Sequence, residues 1–216
     1  LPYLQPQTNN YFGFMPSASQ GTLVQCNPYL VSSSEGSDIN IGDCVMITTI
    51  GTARVITGAF VPTSSMAIAG VAASYVAAGG GSTGALLNNN TSQMVLVYDD
   101  PGQKFVVCDT TSGVIGTQLG IGKNYAVLAT GCVGSTGASS VLHRSVQALS
   151  GVTSTAAGAF HVLGLHPIEN GVHSTVGAAT AGSAVNVRKW VGVFTAQVTN
   201  QGLSASNLNT IVNTTS

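Results

Sequence analysis

The sequence predicts an all-β fold, a sandwich or a barrel assembled from many short strands. Runs rich in Val, Ile, Tyr and Phe recur along the chain, separated by Gly, Ser, Asn and Asp. Their short and regular spacing is that of sandwiches and barrels. No window shows an amphipathic helix of three turns.

The elements follow in order. Residues 1–30 read as an extended arm. Tyr3, Tyr11, Phe12 and Phe14 lie among Pro2, Pro6, Pro16 and Pro28, and no charge occurs before Glu35. Proline fixes φ and removes backbone donors, so the arm is extended chain and not helix. Residues 31–198 form the body and 199–216 an uncharged polar tail. In the body, 44–50 and 53–60 flank Gly51-Thr52, and glycine first in a two-residue loop suits a type II′ hairpin. The Ala-rich run 66–78 holds one short helix at most. Residues 94–98 and 104–108 flank Asp99-Asp100-Pro101-Gly102, a turn by its residues. Alternation in 125–133 puts Tyr125, Val127, Ala129 and Val133 on one face. Strands are expected at 141–149, 160–165 and 185–195, with loops at 79–84, 131–140 and 175–183.

Composition limits the partners. Charged residues are 6% of the 216 and the net charge is −1, against roughly a quarter charged in an average domain. Neither nucleic acid nor an anionic membrane is steered to such a chain. The longest apolar run, 66–78, falls short of the about 20 residues that span a bilayer, and no signal peptide is expected. A surface with so little charge favours association with its own kind. A chain this long buries roughly 70% of its extended surface without staples. Cys26, Cys44, Cys108 and Cys132 are scattered singly, which fits free thiols and a reducing cytoplasm. A secreted, glycan-coated domain is the competing reading, nominally permitted by the sequons at Asn89, Asn90 and Asn213.

No constellation nominates a catalyst. The segment Gly79-Gly80-Gly81-Ser82-Thr83-Gly84 contains both a nominal G-x-G-x-x-G and a nominal G-x-S-x-G. Each needs a strand before it and a helix after it, whereas Ala85-Leu86-Leu87-Asn88-Asn89-Asn90 follows. His161 and His166 are an odd number apart on a strand, hence on opposite faces. Glu169 and His173 are bracketed by Pro167 and Gly171, and His143 stands alone. Asp99 and Asp100 diverge on extended chain and suit a turn. Arg188, Lys189 and Trp190 are too few cations for a nucleic-acid footprint. No catalytic residue, cofactor site or metal site is assigned.

Several segments, in order, resemble a known family. They are Gly42-Asp43-Cys44-Val45, then Ile68-Ala69-Gly70-Val71-Ala72-Ala73, then Val97-Tyr98-Asp99-Asp100-Pro101-Gly102-Gln103-Lys104-Phe105-Val106-Val107. Phe160-His161-Val162-Leu163-Gly164-Leu165, Asn170 and Lys189-Trp190-Val191 follow. This succession is similar to the head cement, or decoration, proteins of tailed bacteriophages, especially those of marine and cyanobacterial phages. The chain departs from them in the charge-poor segment 167–188 and in its Pro/aromatic arm.

The resemblance implies a β-barrel or β-tulip-like body that binds the outer face of an assembled phage head and bridges its subunits. The implied partners are the major capsid protein and further copies of the chain, a trimer being favoured. The implied location is the virion surface, after synthesis in the bacterial host cytoplasm. Tyr3, Tyr11, Phe12 and Phe14 are the expected contacts to a neighbouring copy or to the capsid. The alternative is a receptor- or glycan-binding β module of a phage fibre or secreted adhesin, with an exposed aromatic groove.

Overall fold

The computed structural model describes residues 13–17, 24–31, 35–48, 51–56, 67–78, 93–108, 121–129, 143–154, 158–166 and 189–195. These residues are all-β. The strands are β1 (Met15–Pro16), β2 (Asn27–Val31), β3 (Cys44–Ile47), β4 (Ala53–Val55), β5 (Ala67–Ala72) and β6 (Gln93–Tyr98). They continue as β7 (Phe105–Cys108), β8 (Asn124–Leu128), β9 (Ala148–Ser154), β10 (Phe160–Leu165) and β11 (Lys189–Phe194). Strands β2-β4-β3-β5-β6 close into a barrel, and β1-β7-β11-β10-β8-β9 form an open six-stranded sheet.

Alternation along the strands builds two cores. The barrel interior holds Tyr29, Val31, Ile39, Val45, Ala53, Val55, Ala69, Ala72, Val76, Val95 and Val97. The second core lies between the barrel and the open sheet. Cys44, Met46, Ile68 and Val71 enter it from the barrel's outer face, and Phe105, Tyr125, Phe160, Trp190 and Phe194 from the sheet. β3 therefore feeds both cores, Val45 inward and Cys44 and Met46 outward, as a pleated strand must.

Residues 67–78 form a strand and a bend, which falls within the expectation of one short helix at most. Every residue of β5 is buried, because β5 lies between β3 and β6 in the barrel wall and has a core on each side. A strand buried on both faces shows no alternation, so its pattern cannot be told from a buried helical piece. β5 also carries a bulge: Val45 pairs with Gly70 and Met46 with Ile68, leaving Ala69 extra. The extra residue resets the alternation, so Ile68 and Val71 both face the sheet-side core.

The expected hairpin forms between β3 and β4, with Val45 opposite Val55 and Ile47 opposite Ala53, and residues 57–60 lie outside the described residues. Its closure differs from a two-residue loop. Thr48 N donates to Thr52 O at 3.0 Å, and Gly51 N donates to Thr48 O at 2.9 Å. Gly51 has φ +81°, which matches a three-residue loop ending in a left-handed glycine. The turn at 99–102 is present. Gly102 N donates to Asp100 Oδ1 at 2.8 Å and Gln103 N to Asp100 O at 3.0 Å. The strands it joins do not pair with each other; the turn carries the chain from the barrel to the open sheet.

Two boundaries move. The strand expected at 141–149 begins at Ala148, because residues before it cross-link to the loop ahead of β3. Ile41 N donates to His143 O and Ser145 N to Ile41 O, both at 2.9 Å. The arm expected over 1–30 is partly absorbed into the body. β1 pairs with β7, and β2 is a barrel strand matched to β6 over five pairs. Residues 1–12, 18–23, 32–34, 49–50, 57–66, 79–92, 109–120, 130–142, 155–157, 167–188 and 196–216 lie outside the described residues, as do the expectations that fall on them.

Candidate binding surface

β2 and β6 run antiparallel, with Pro28 opposite Leu96 and Leu30 opposite Met94. Their alternate residues Tyr29, Val31, Val95 and Val97 fill the barrel. The intervening residues point outward and are apolar as well. Leu30 is 44% exposed, Met94 54% and Leu96 40%, and Pro28 is exposed beside them. The result is an apolar stripe two strands wide, with the exposed Cys26 just beyond it in sequence.

The end of the stripe is fixed by a polar clamp. Tyr29 OH donates to Asp99 Oδ2 at 2.7 Å, and Asn27 Nδ2 reaches both carboxylate oxygens at 2.9 and 3.0 Å. Burial, then the hydrogen bond and charge of Asp99, push the Tyr29 hydroxyl well above its ordinary pKa. The clamp holds β2 in register on β6 and so sets where Leu30 and Met94 stand.

Several titratable groups among the described residues are held in structural contacts. Asp43 is buried where Phe14 N, Ala72 O and the segment after His143 converge on residues 41–43. Its carboxylate accepts from Asn40 N at 2.7 Å, yet burial raises its pKa from 3.8 to about 6. Arg54 Nε donates to buried Glu35 Oε2 at 2.8 Å. Tyr75 stacks on His143 with ring centroids 3.7 Å apart and donates its hydroxyl to Asp38 at 3.3 Å. His161 Nδ1 lies 2.6 Å from Asn124 Oδ1. Among the described residues, no group of three or more His, Cys, Asp or Glu is placed to hold a metal ion.

The bulge in β10, which leaves Leu163 extra between Val162 and Gly164, resets the alternation that separated His161 from His166. Cys26, Cys44 and Cys108 form no disulfide. Burial first, and the nearby Asp43 charge second, raise the Cys44 thiol pKa well above its usual range.

Of the four expected interface aromatics, Tyr3, Tyr11 and Phe12 lie outside the described residues. Phe14 is placed, and its assignment is corrected: it is 1% exposed within the chain's own sheet-side core. Its ring lies 5.4 Å from that of Phe160 and 5.3 Å from that of Phe194, so it has no surface left for a neighbour. The segment 79–84 with Ser82, and Glu169, His173 and Arg188, are outside the described residues. Trp190 is a core residue.

Sequence reasoning missed the stripe, though a signal was present. Residues 28–31 and 94–97 are apolar at every position, while a barrel wall with water outside needs only alternate ones. No family model matches the chain, and neither a curated protein nor a solved structure matches it.

Proposed function

We propose that this chain is a non-catalytic structural protein of a virion, a decoration protein that binds the outer face of an assembled phage head. On this reading it bridges capsid subunits and acts as a homo-oligomer, with a trimer favoured. The observation that carries the proposal is the apolar stripe on β2 and β6 of a chain that is 6% charged. A surface of this kind associates by apolar burial and backbone hydrogen bonding, which salt screens weakly. The resemblance of its short motifs, in their order, to those of head cement proteins supplies the choice of partner.

The test is co-sedimentation of the purified chain with assembled phage heads stripped of their decoration, across salt concentrations. Saturable binding that changes less than about threefold between roughly 0.05 and 0.5 M salt is expected, since no counterion release accompanies apolar docking. Absence of saturable binding overturns the capsid assignment. Binding that collapses as salt rises overturns the physical basis given for it.

A further inference from the structure

We infer that segment 143–147 is a latch laid across the entry to β3, clasped while the Asp43 carboxyl keeps its proton and loosened when it ionises. The latch ties the second half of the chain to the barrel, and the inference does not depend on the partner proposed above.

Several stretches of chain meet at this point. Ile41 N donates to His143 O and Ser145 N to Ile41 O, both at 2.9 Å. Cys44 N reaches across to Gln147 Oε1 at 2.6 Å. Gly42 O accepts from Phe14 N and Gly42 N donates to Ala72 O, again at 2.9 Å each. Gly13 lies so close that a methyl group on it would overlap the Ser145 side chain. Asp43, Ser145 and Gln147 are all buried here. The Asp43 carboxylate accepts from Asn40 N at 2.7 Å and from the side chains of Ser145 and Asn40. Ser145 Oγ accepts in turn from Gln147 N at 3.1 Å. The Ser145 hydroxyl is therefore the direct link between Asp43 and the latch.

This geometry makes the clasp sensitive to charge. A carboxylate that is 4% exposed has lost most of its hydration, which is costly unless a cation answers it. The charge that bears on Asp43 is Asp38, on the same loop, and it repels. Among the elements packed around it, Cys44 follows on β3 and Tyr75 follows the end of β5. His143 and Arg144 lie on the latch, and Gly13–Phe14 brings no titratable group. The latch is also incompletely bonded. Gln147 Nε2 is buried without a hydrogen-bond partner, so lifting the segment gives that donor to water and lowers what opening loses. Opening likewise returns the Asp43 carboxyl from about 6 to its ordinary 3.8. The proton thus binds the closed latch more tightly than the open one. Clasping is strongest at low pH and weakens as pH rises toward 6.

The experiment is amide hydrogen exchange followed by NMR on the full chain, with rates corrected for the intrinsic pH dependence of exchange. Ile41, Cys44 and Ser145 report on the latch. Thr48 and Thr195, whose amides donate to Thr52 O and Ala159 O, report on the hairpin and the sheet. Protection at the three latch amides is expected to fall about tenfold between about pH 5 and 7.5 in the parent, and less than about twofold in Asp43→Asn. Latch protection that ignores pH, or that falls equally in Asp43→Asn, overturns the inference. An equal fall at Thr48 and Thr195 overturns it too, because the whole fold would then be opening. A second measurement needs no variant. The Asp43 Cγ resonance of the parent is expected to titrate with a midpoint near 6, and a midpoint below about 4.5 removes the linkage on which the latch depends.

Discussion

Asp43 holds its carboxylate where burial outweighs the hydrogen bonds that stabilise its charge, and its pKa is raised from 3.8 to about 6. The folded state therefore binds this proton more tightly than the unfolded chain does. Asp43 favours folding most below pH 3.8, and that advantage is lost as pH rises toward 6, a difference of about 3 kcal/mol. Asp43→Asn keeps an acceptor for Asn40 N and removes the ionisation. The variant is expected to match the parent near pH 4 and exceed its stability at pH 7, in denaturant unfolding across that range. An equal pH slope in both proteins would refute this. Phe14 is the other decisive residue. With its ring against Phe160 and Phe194, Phe14→Ala should lower unfolding stability by about 3–5 kcal/mol. A loss under about 1 kcal/mol at protein concentrations too low for association would contradict its core placement. An uncharged Pro/aromatic segment says that its rings must be buried but not against what, so Phe14 was legible as buried and illegible as to partner.

The elements show where sequence patterns carry information and where they cannot. The turn at 99–102 was legible because Asp, Pro and Gly act on their own backbone. β10 was legible from end to end, its bulge aside. β5 was not, because burial on both faces removes the alternation that marks a strand. Its bulge rests on Gly70, which has φ +155° and packs against the backbone of Tyr98. A methyl group there would overlap Tyr98 O. Gly70→Ala should therefore cost roughly 2–3 kcal/mol or more, since β5 or β6 must shift to admit the methyl. Thermal unfolding of this variant beside a substitution at exposed Gly36, which has open space around it, measures the cost. Equal melting temperatures would show that the wall yields without strain. The stripe escaped notice for a related reason: apolar residues on both faces of β2 and β6 look like deeper burial, and only the closed barrel shows which face meets water.

Two cores share one wall in the whole molecule, because β3 and β5 supply side chains to both. Composition made the low charge and the all-β class legible, yet no sequence pattern says that the second half of the chain packs on the outside of the first. That pairing depends on contacts far apart in sequence, such as Cys44 N donating to Gln147 Oε1 at 2.6 Å. The ring itself is fastened unevenly. Four antiparallel pairings run from β4 through β3, β5 and β6 to β2, while β2 and β4 meet in parallel at a single described pair, Val31 with Ala53. Among the described residues, the barrel is a ribbon buttoned once. Undoing that button leaves the four antiparallel pairings in place and bares two strand edges, so among the described pairs this seam is the one at which the ring opens with the fewest broken.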